Sequence, residues 1–276
     1  MFEKIYGHDM QKEVLENSIK NDKISHAYLF YGPDGIGKKQ IALEFAKNIL
    51  DVENLETCVD YKYIEKLEDK KEILVQQVRE NITQNVVERP IASKKKVYIV
   101  NDANLLNDVG QNALLKTLEE PPSYIVIILI ASNTSSFLST ILSRVSKLKF
   151  NSLKQSEIIN YVKENGFKFS QNIINFSQGS IGKLHYILDN NLQNDFEKID
   201  ELLENIKLKK ISKVMDIAKD VDFNNIIYLE YLEFVLYDNK MYSSCLEIKT
   251  AIARLKMNGN YDIVIDNMLL RCIESI

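Results

Sequence analysis

Two groups of residues in this sequence have the types and spacing to do chemistry. The first is Gly32-Pro33-Asp34-Gly35-Ile36-Gly37-Lys38-Lys39. Gly32, four residues, then Gly37-Lys38 is the P-loop pattern, and it captures anions. The glycines let several backbone N–H groups point inward, and the helix that follows adds its positive end. Lys38 would reach terminal phosphates as a point charge. Glycine is scarce here, 9 of 276 residues, so its concentration in this octet is not a matter of composition. The second group is Asn101-Asp102, at the end of the apolar run Val97-Tyr98-Ile99-Val100. An acid in that position would hold Mg²⁺ and its neighbour would activate water.

Both groups depart from that chemistry at the metal. The residue after the loop lysine should be Ser or Thr, whose hydroxyl ligates Mg²⁺, and it is Lys39. An ammonium repels a cation. The first acidic position is the neutral amide Asn101, and the second is Asp102, one methylene shorter than Glu. Two weakened contacts to one ion argue for a phosphate cradle without efficient Mg²⁺-dependent hydrolysis. Asp102 has an alternative reading as the cap of a helix over 105–118.

Position in the chain follows from periodicity. An amphipathic helix spans about 9–20, with Val14, Leu15 and Ile19 in period. A strand begins at Ala27 and runs into the loop, and a helix covers 38–50. His26, just before the strand, reads as a hydrogen-bonding buttress rather than a catalyst. Residues 51–74 read as polar and irregular, and 75–87 as a helix ended by Pro90. Lys94-Lys95-Lys96 is either a solvated loop or a phosphate contact. The run Tyr124 to Ile130 is continuously apolar, as a central parallel strand buried on both faces must be. Ser132-Asn133 ends it at the edge where ligands sit in such sheets. A short helix over 137–142 leads to Ser143-Arg144-Val145 and a strand over 147–150.

Strands alternating with helices predict an α/β P-loop domain with a parallel sheet over 1–150. A small helical lid over 151–192 follows, with helices at about 156–164, 171–177 and 181–189. An all-α C-terminal domain of four or five helices covers 193–276. The longest apolar run is too short to span a bilayer, and Met1 to Gly7 has no apolar signal core. Cys58, Cys245 and Cys272 are too dispersed for a disulfide framework. These features predict a cytoplasmic protein with no membrane partner. A net charge of -4 gives no overall signal for nucleic acid.

His26 through Lys38, Ala113-Leu-Leu-Lys-Thr-Leu-Glu-Glu-Pro-Pro122 and Thr140-Ile-Leu-Ser-Arg144 together resemble the clamp-loader branch of the AAA+ proteins. Within it, the degraded metal positions look like those of the delta-prime subunits of bacterial DNA polymerase III. The resemblance implies a hetero-oligomer with gamma/tau-type and delta subunits that loads a sliding clamp onto primed DNA, residues 193–276 forming its collar. It places Asn133 at the first sensor and Gly182 where active members carry a sensor arginine. It makes Arg144 an arginine finger offered to the ATP of a neighbouring subunit; the competing reading is an ordinary ion-paired surface arginine. It implies no required cofactor, at most weak ATP or ADP binding without Mg²⁺. No zinc is expected either, since only Cys58 stands where relatives often carry four cysteines. An active gamma/tau-like ATPase and a stand-alone nucleic-acid binder are the rival functions.

Overall fold

In a computed structural model, which describes residues 1–275, the chain divides into two compact units. One comprises residues 1–161 and 179–182; the other comprises 162–178 and the residues from Lys183 on. The segment 151–192 is thus shared between the units.

The first unit is an α/β layer structure. Its elements are α1 (Asp9–Lys20), β1 (Ala27–Tyr31), α2 (Lys38–Leu50), β2 (Tyr61–Ile64), α3 (Val75–Val78), β3 (Lys96–Val100), α4 (Asp108–Glu119), β4 (Ile125–Ala131), α5 (Ser139–Leu142), β5 (Ser146–Lys149) and α6 (Gln155–Glu164). All strands pair in parallel in the order β2–β3–β4–β1–β5. Side chains alternate across a strand, so the central strands feed two cores. Ala27, Leu29, Val100, Ile127 and Leu129 pack with Val78, Leu114, Leu118 and Ile141 on one face. Tyr28, Phe30, Ile99, Val126 and Ile128 pack with Leu15, Ile41, Phe45 and Phe150 on the other. Every residue of β4 is buried, as its unbroken apolar run requires.

Three local expectations are corrected. The stretch 51–74 contains the edge strand β2, whose only buried side chain is Ile64. An edge strand with one apolar anchor leaves little alternation to detect. The helix expected over 75–87 is broken into α3, a π turn over Arg79–Thr83 and a 3₁₀ turn over Asn85–Val87. There the Asn81 and Asn85 amides donate to the Gln77 and Glu80 carbonyls and compete with regular helix bonding. The cap of α4 is Asn107, whose Oδ1 accepts from Gly110 N at 3.0 Å, and not Asp102. A 3₁₀ turn, Ala103–Leu105, comes between.

The second unit is helical: α7 (Gln171–Phe176), most of α8 (Ile181–Asp189), α9 (Gln193–Lys207), α10 (Ile211–Lys219), α11 (Ile226–Asp238), α12 (Tyr242–Lys256) and α13 (Tyr261–Glu274). Its centre is aromatic. Phe196 stacks on Tyr231 at 4.2 Å, and Phe176 meets Tyr231 edge-on at 5.0 Å. The Tyr231 hydroxyl donates to Asp200 at 3.0 Å, which satisfies the polar end of a buried ring.

Candidate functional site

β1 delivers the chain into the glycine loop. Gly32 N donates to Ala131 O at 3.2 Å, tying the loop to the end of β4. Gly32 has φ 150, and a Cβ there would fall 2.1 Å from Phe150 O, so only glycine fits. Ile36 is buried and anchors the loop on the core. Its carbonyl accepts from His8 Nε2 at 2.7 Å. A carbonyl only accepts, so the His8 proton sits on that nitrogen. Burial holds the His8 pKa below its ordinary value, although this carbonyl bond opposes the shift.

Lys38 begins α2 and is buried, 6 % exposed. Its ammonium donates to Gly32 O and Pro33 O, both at 2.5 Å, and lies 3.3 Å from Asp34 Oδ1. The loop's cation is thus bound to the loop's own carbonyls. Burial lowers the Lys38 pKa, while Asp34 and Asp102 push it back. The Lys39 ammonium lies 4.7 Å from the centroid of the Tyr63 ring on β2. That is a cation–π contact, and it places a positive charge one residue beyond the loop lysine.

β3 leads directly into Asn101-Asp102 at the same, carboxyl edge of the parallel sheet. Asn101 N donates to Ile64 O at 2.8 Å, and the Asn101 amide donates to Asp102 Oδ2 at 3.0 Å. Asp102 has φ 49. Burial raises its pKa, the Asp34 and Glu65 carboxylates add to the rise, and Lys38 and Lys39 oppose it. These groups form one electrostatic cluster, in which the two positions expected to hold Mg²⁺ are both weakened. Where a hydroxyl should stand there is an ammonium. Where a carboxylate should stand there is an amide, a weaker ligand, hydrogen-bonded to Asp102.

The remaining expected site residues are placed as follows. Asn133 Oδ1 accepts from Ser135 N at 3.0 Å and Ser135 Oγ at 2.6 Å, so this amide caps its own turn. His26 is no hydrogen-bonding buttress: its Nε2 is buried without a partner, and its backbone carbonyl accepts from Ile127 N at 2.9 Å. Of the lysine triplet, Lys96 begins β3 and is not part of a solvated loop. It is buried, donates to Asn85 O at 3.2 Å and sits 3.9 Å from Glu88. Arg144 lies away from the glycine loop in sequence and pairs with Glu119 at 2.9 Å. Val145 behind it is buried in the core, which fixes the backbone that carries the arginine.

Two features of the site escaped the sequence. One is the contact of the loop with the 179–182 segment. Gly182 N donates to Gly35 O at 2.7 Å and Ser180 Oγ to Asp34 O at 3.0 Å. A Cβ on Gly182 would lie 2.7 Å from Gly35 Cα. The two backbones touch at these glycines. Gly182→Ala should therefore cost about 1–3 kcal/mol of stability, read by urea denaturation. A variant as stable as the parent would show that the contact yields freely. The other feature is Gln111, buried on α4. Its amide donates to Leu106 O and Ser136 O, and its carbonyl accepts from Leu138 N. It ties the approach to α5, and so to Arg144, onto α4. A lone glutamine in an amphipathic helix gives no local sign of such a role.

A family model described as "DNA polymerase III, delta subunit" matches residues 7–154, more than half of the chain. The chain belongs to that clamp-loader family. Among curated proteins, it is 33% identical over 162 residues to the DNA polymerase III subunit delta' of Bacillus subtilis, covering 53% of this chain and 48% of that protein. It is 32% identical over 178 residues to the tau/gamma subunit of Haemophilus influenzae, covering 57% and 25%. The chain therefore spans a quarter to a half of the length of these relatives. Among solved structures, a DNA polymerase III gamma subunit-related protein of Thermotoga maritima superposes with a TM-score of 0.58 at 20% identity, covering 97% of this chain and 98% of that one. This clamp-loader chain has the AAA+ fold expected from its glycine loop and parallel sheet, with an all-helical C-terminal region. Among the described residues, no helix is long and apolar enough to cross a membrane.

Proposed function

We propose that this chain is a delta-prime-type clamp-loader subunit that does not turn over ATP itself and lends Arg144 to the ATP of a neighbouring subunit. The observation that carries this reading is the state of the metal positions. The Lys39 ammonium lies over Tyr63, and an amide, Asn101, bonded to Asp102, stands where a carboxylate is expected, so both positions that should grip a divalent ion are weakened. Support for the finger comes from Arg144, a third exposed and carried on the short α5 turn by a buried Val145. Its partners would be gamma/tau-type and delta subunits in a cytoplasmic hetero-oligomer acting on a sliding clamp and primed DNA. Residues 193–276 would supply the collar, 151–192 the lid and 1–150 the nucleotide-binding-like domain. No zinc and no obligatory cofactor would be needed; any ATP or ADP would bind weakly and without Mg²⁺.

The rival is an active gamma/tau-like ATPase, since relatives named gamma and tau match this chain as well as the delta' protein does. The two readings separate on metal dependence. The isolated protein is expected to show no ATP hydrolysis that Mg²⁺ stimulates, and EDTA should leave its nucleotide affinity unchanged. Robust Mg²⁺-dependent turnover, abolished by Lys38→Ala, would establish the rival.

A further inference from the structure

The finger has an acidic partner that no motif assigns. We infer that Glu119 is a positioning residue for Arg144, holding the guanidinium in the orientation in which it meets the neighbour's phosphates. This rests on the arginine-finger reading above. Glu119 is the last residue of α4, and its Oε1 sits 2.9 Å from Arg144 Nη2. Arg144 Nη1 donates to Thr140 O at 2.8 Å and to Ser143 Oγ at 3.2 Å. These contacts occupy three of the five guanidinium N–H donors, leaving two for phosphate oxygens.

Both anchors are on defined elements. Thr140 and Ser143 belong to the α5 turn, and Glu119 to a helix capped by Asn107 and tied to residues 136–138 through Gln111. A planar fork held from two sides loses less freedom when it binds, and misplacement of a reacting group by about 1 Å costs up to about a hundred-fold in rate. A stabilising role explains the pair poorly. Glu119 is 47% exposed and Arg144 33%, and ion pairs at such sites contribute little to folding.

The test uses the complex reconstituted with the cognate gamma-type and delta subunits, and reads ATP hydrolysis stimulated by clamp and primed DNA. Glu119→Ala should lower kcat by about ten-fold or more with KM and assembly unchanged. Glu119→Gln, whose amide oxygen still accepts a hydrogen bond, should recover most of the rate. Glu119→Ala combined with Arg144→Ala should be no slower than Arg144→Ala alone, because the effect passes through the arginine. Glu119→Ala at the parental rate, or a double variant slower than Arg144→Ala, would overturn the inference. A parental rate for Arg144→Ala alone would instead remove the finger, and the inference with it. Should Glu119→Ala fail to assemble, Glu119→Asp, too short to span the pair, gives the same comparison.

Discussion

Arg144→Ala is expected to leave assembly intact and to slow hydrolysis at the neighbouring ATP site by on the order of 10³-fold, the usual worth of an arginine finger. Transferring a phosphoryl group spreads negative charge over its oxygens, and a guanidinium in a water-poor interface stabilises that charge. Little in the fold depends on the side chain. Its bonds are to Glu119, Thr140 O and Ser143 Oγ at a partly exposed surface, so the loss should fall on rate and not on stability. Arg144→Lys should rescue poorly, because an ammonium is a point charge without the planar fork. Single-turnover ATP hydrolysis by the reconstituted complex reads the effect, and size-exclusion chromatography checks assembly. Equal rates for parent and alanine variant would leave Arg144 as an ion-paired surface residue.

The second large effect is on stability and centres on Asp60. This carboxylate is buried, 2% exposed, and lies in sequence between the glycine loop and Asn101-Asp102. Its oxygens accept from the backbone N–H groups of Ile91, Ala92 and Ser93 at 2.8, 2.7 and 2.7 Å. Its own carbonyl accepts from Val97 N at the start of β3. One side chain thus pins the loop that leads into the strand carrying Asn101 and Asp102. Asp60→Ala leaves three donors without their acceptor. Water can reach part of that loop, so the cost should be about 2–4 kcal/mol. The chain has no tryptophan, so far-UV circular dichroism in urea is the natural readout. A loss under about 0.5 kcal/mol, the range of ordinary surface substitutions, would mean that the loop holds without the tether.

The same residue sets an acid limit. Burial alone would raise the Asp60 pKa, but the three N–H donors and Lys96 outweigh it and hold the carboxyl below its ordinary 3.8. A carboxyl lowered in the folded state contributes stability that is complete above the unfolded value. That stability is lost as pH falls through the folded one. The parent should therefore lose more stability than Asp60→Asn between about pH 4 and the acid end of the titration. Parallel pH profiles for the two proteins would contradict this.

Much of the architecture was legible because it is local. α1, α2 and α8 begin and end where periodicity and the glycine loop placed them, and β4 announced itself by an unbroken apolar run. β2 was not legible: it is an edge strand with one buried anchor, and register along β3 makes it a strand. The broken helix after Leu74 was hidden for a related reason, since Asn81 and Asn85 bond to nearby carbonyls without disturbing the apolar spacing.

Residue type alone determined that the chain has a glycine loop of P-loop spacing, followed by an ammonium and paired with an amide at the two positions where that pattern expects a hydroxyl and a carboxylate. Folding cannot give the ammonium a lone pair, and a neutral amide holds Mg²⁺ far less well than a carboxylate. Only the tertiary structure decided what each charge does. It turned Lys38 onto the loop's own carbonyls, set Lys39 over Tyr63, closed Gly182 on Gly35 and gave Arg144 to Glu119. These partners are distant in sequence or depend on how side chains turn out of a loop. Pairing between them follows from sheet register and packing, and neither leaves a periodic trace along the chain.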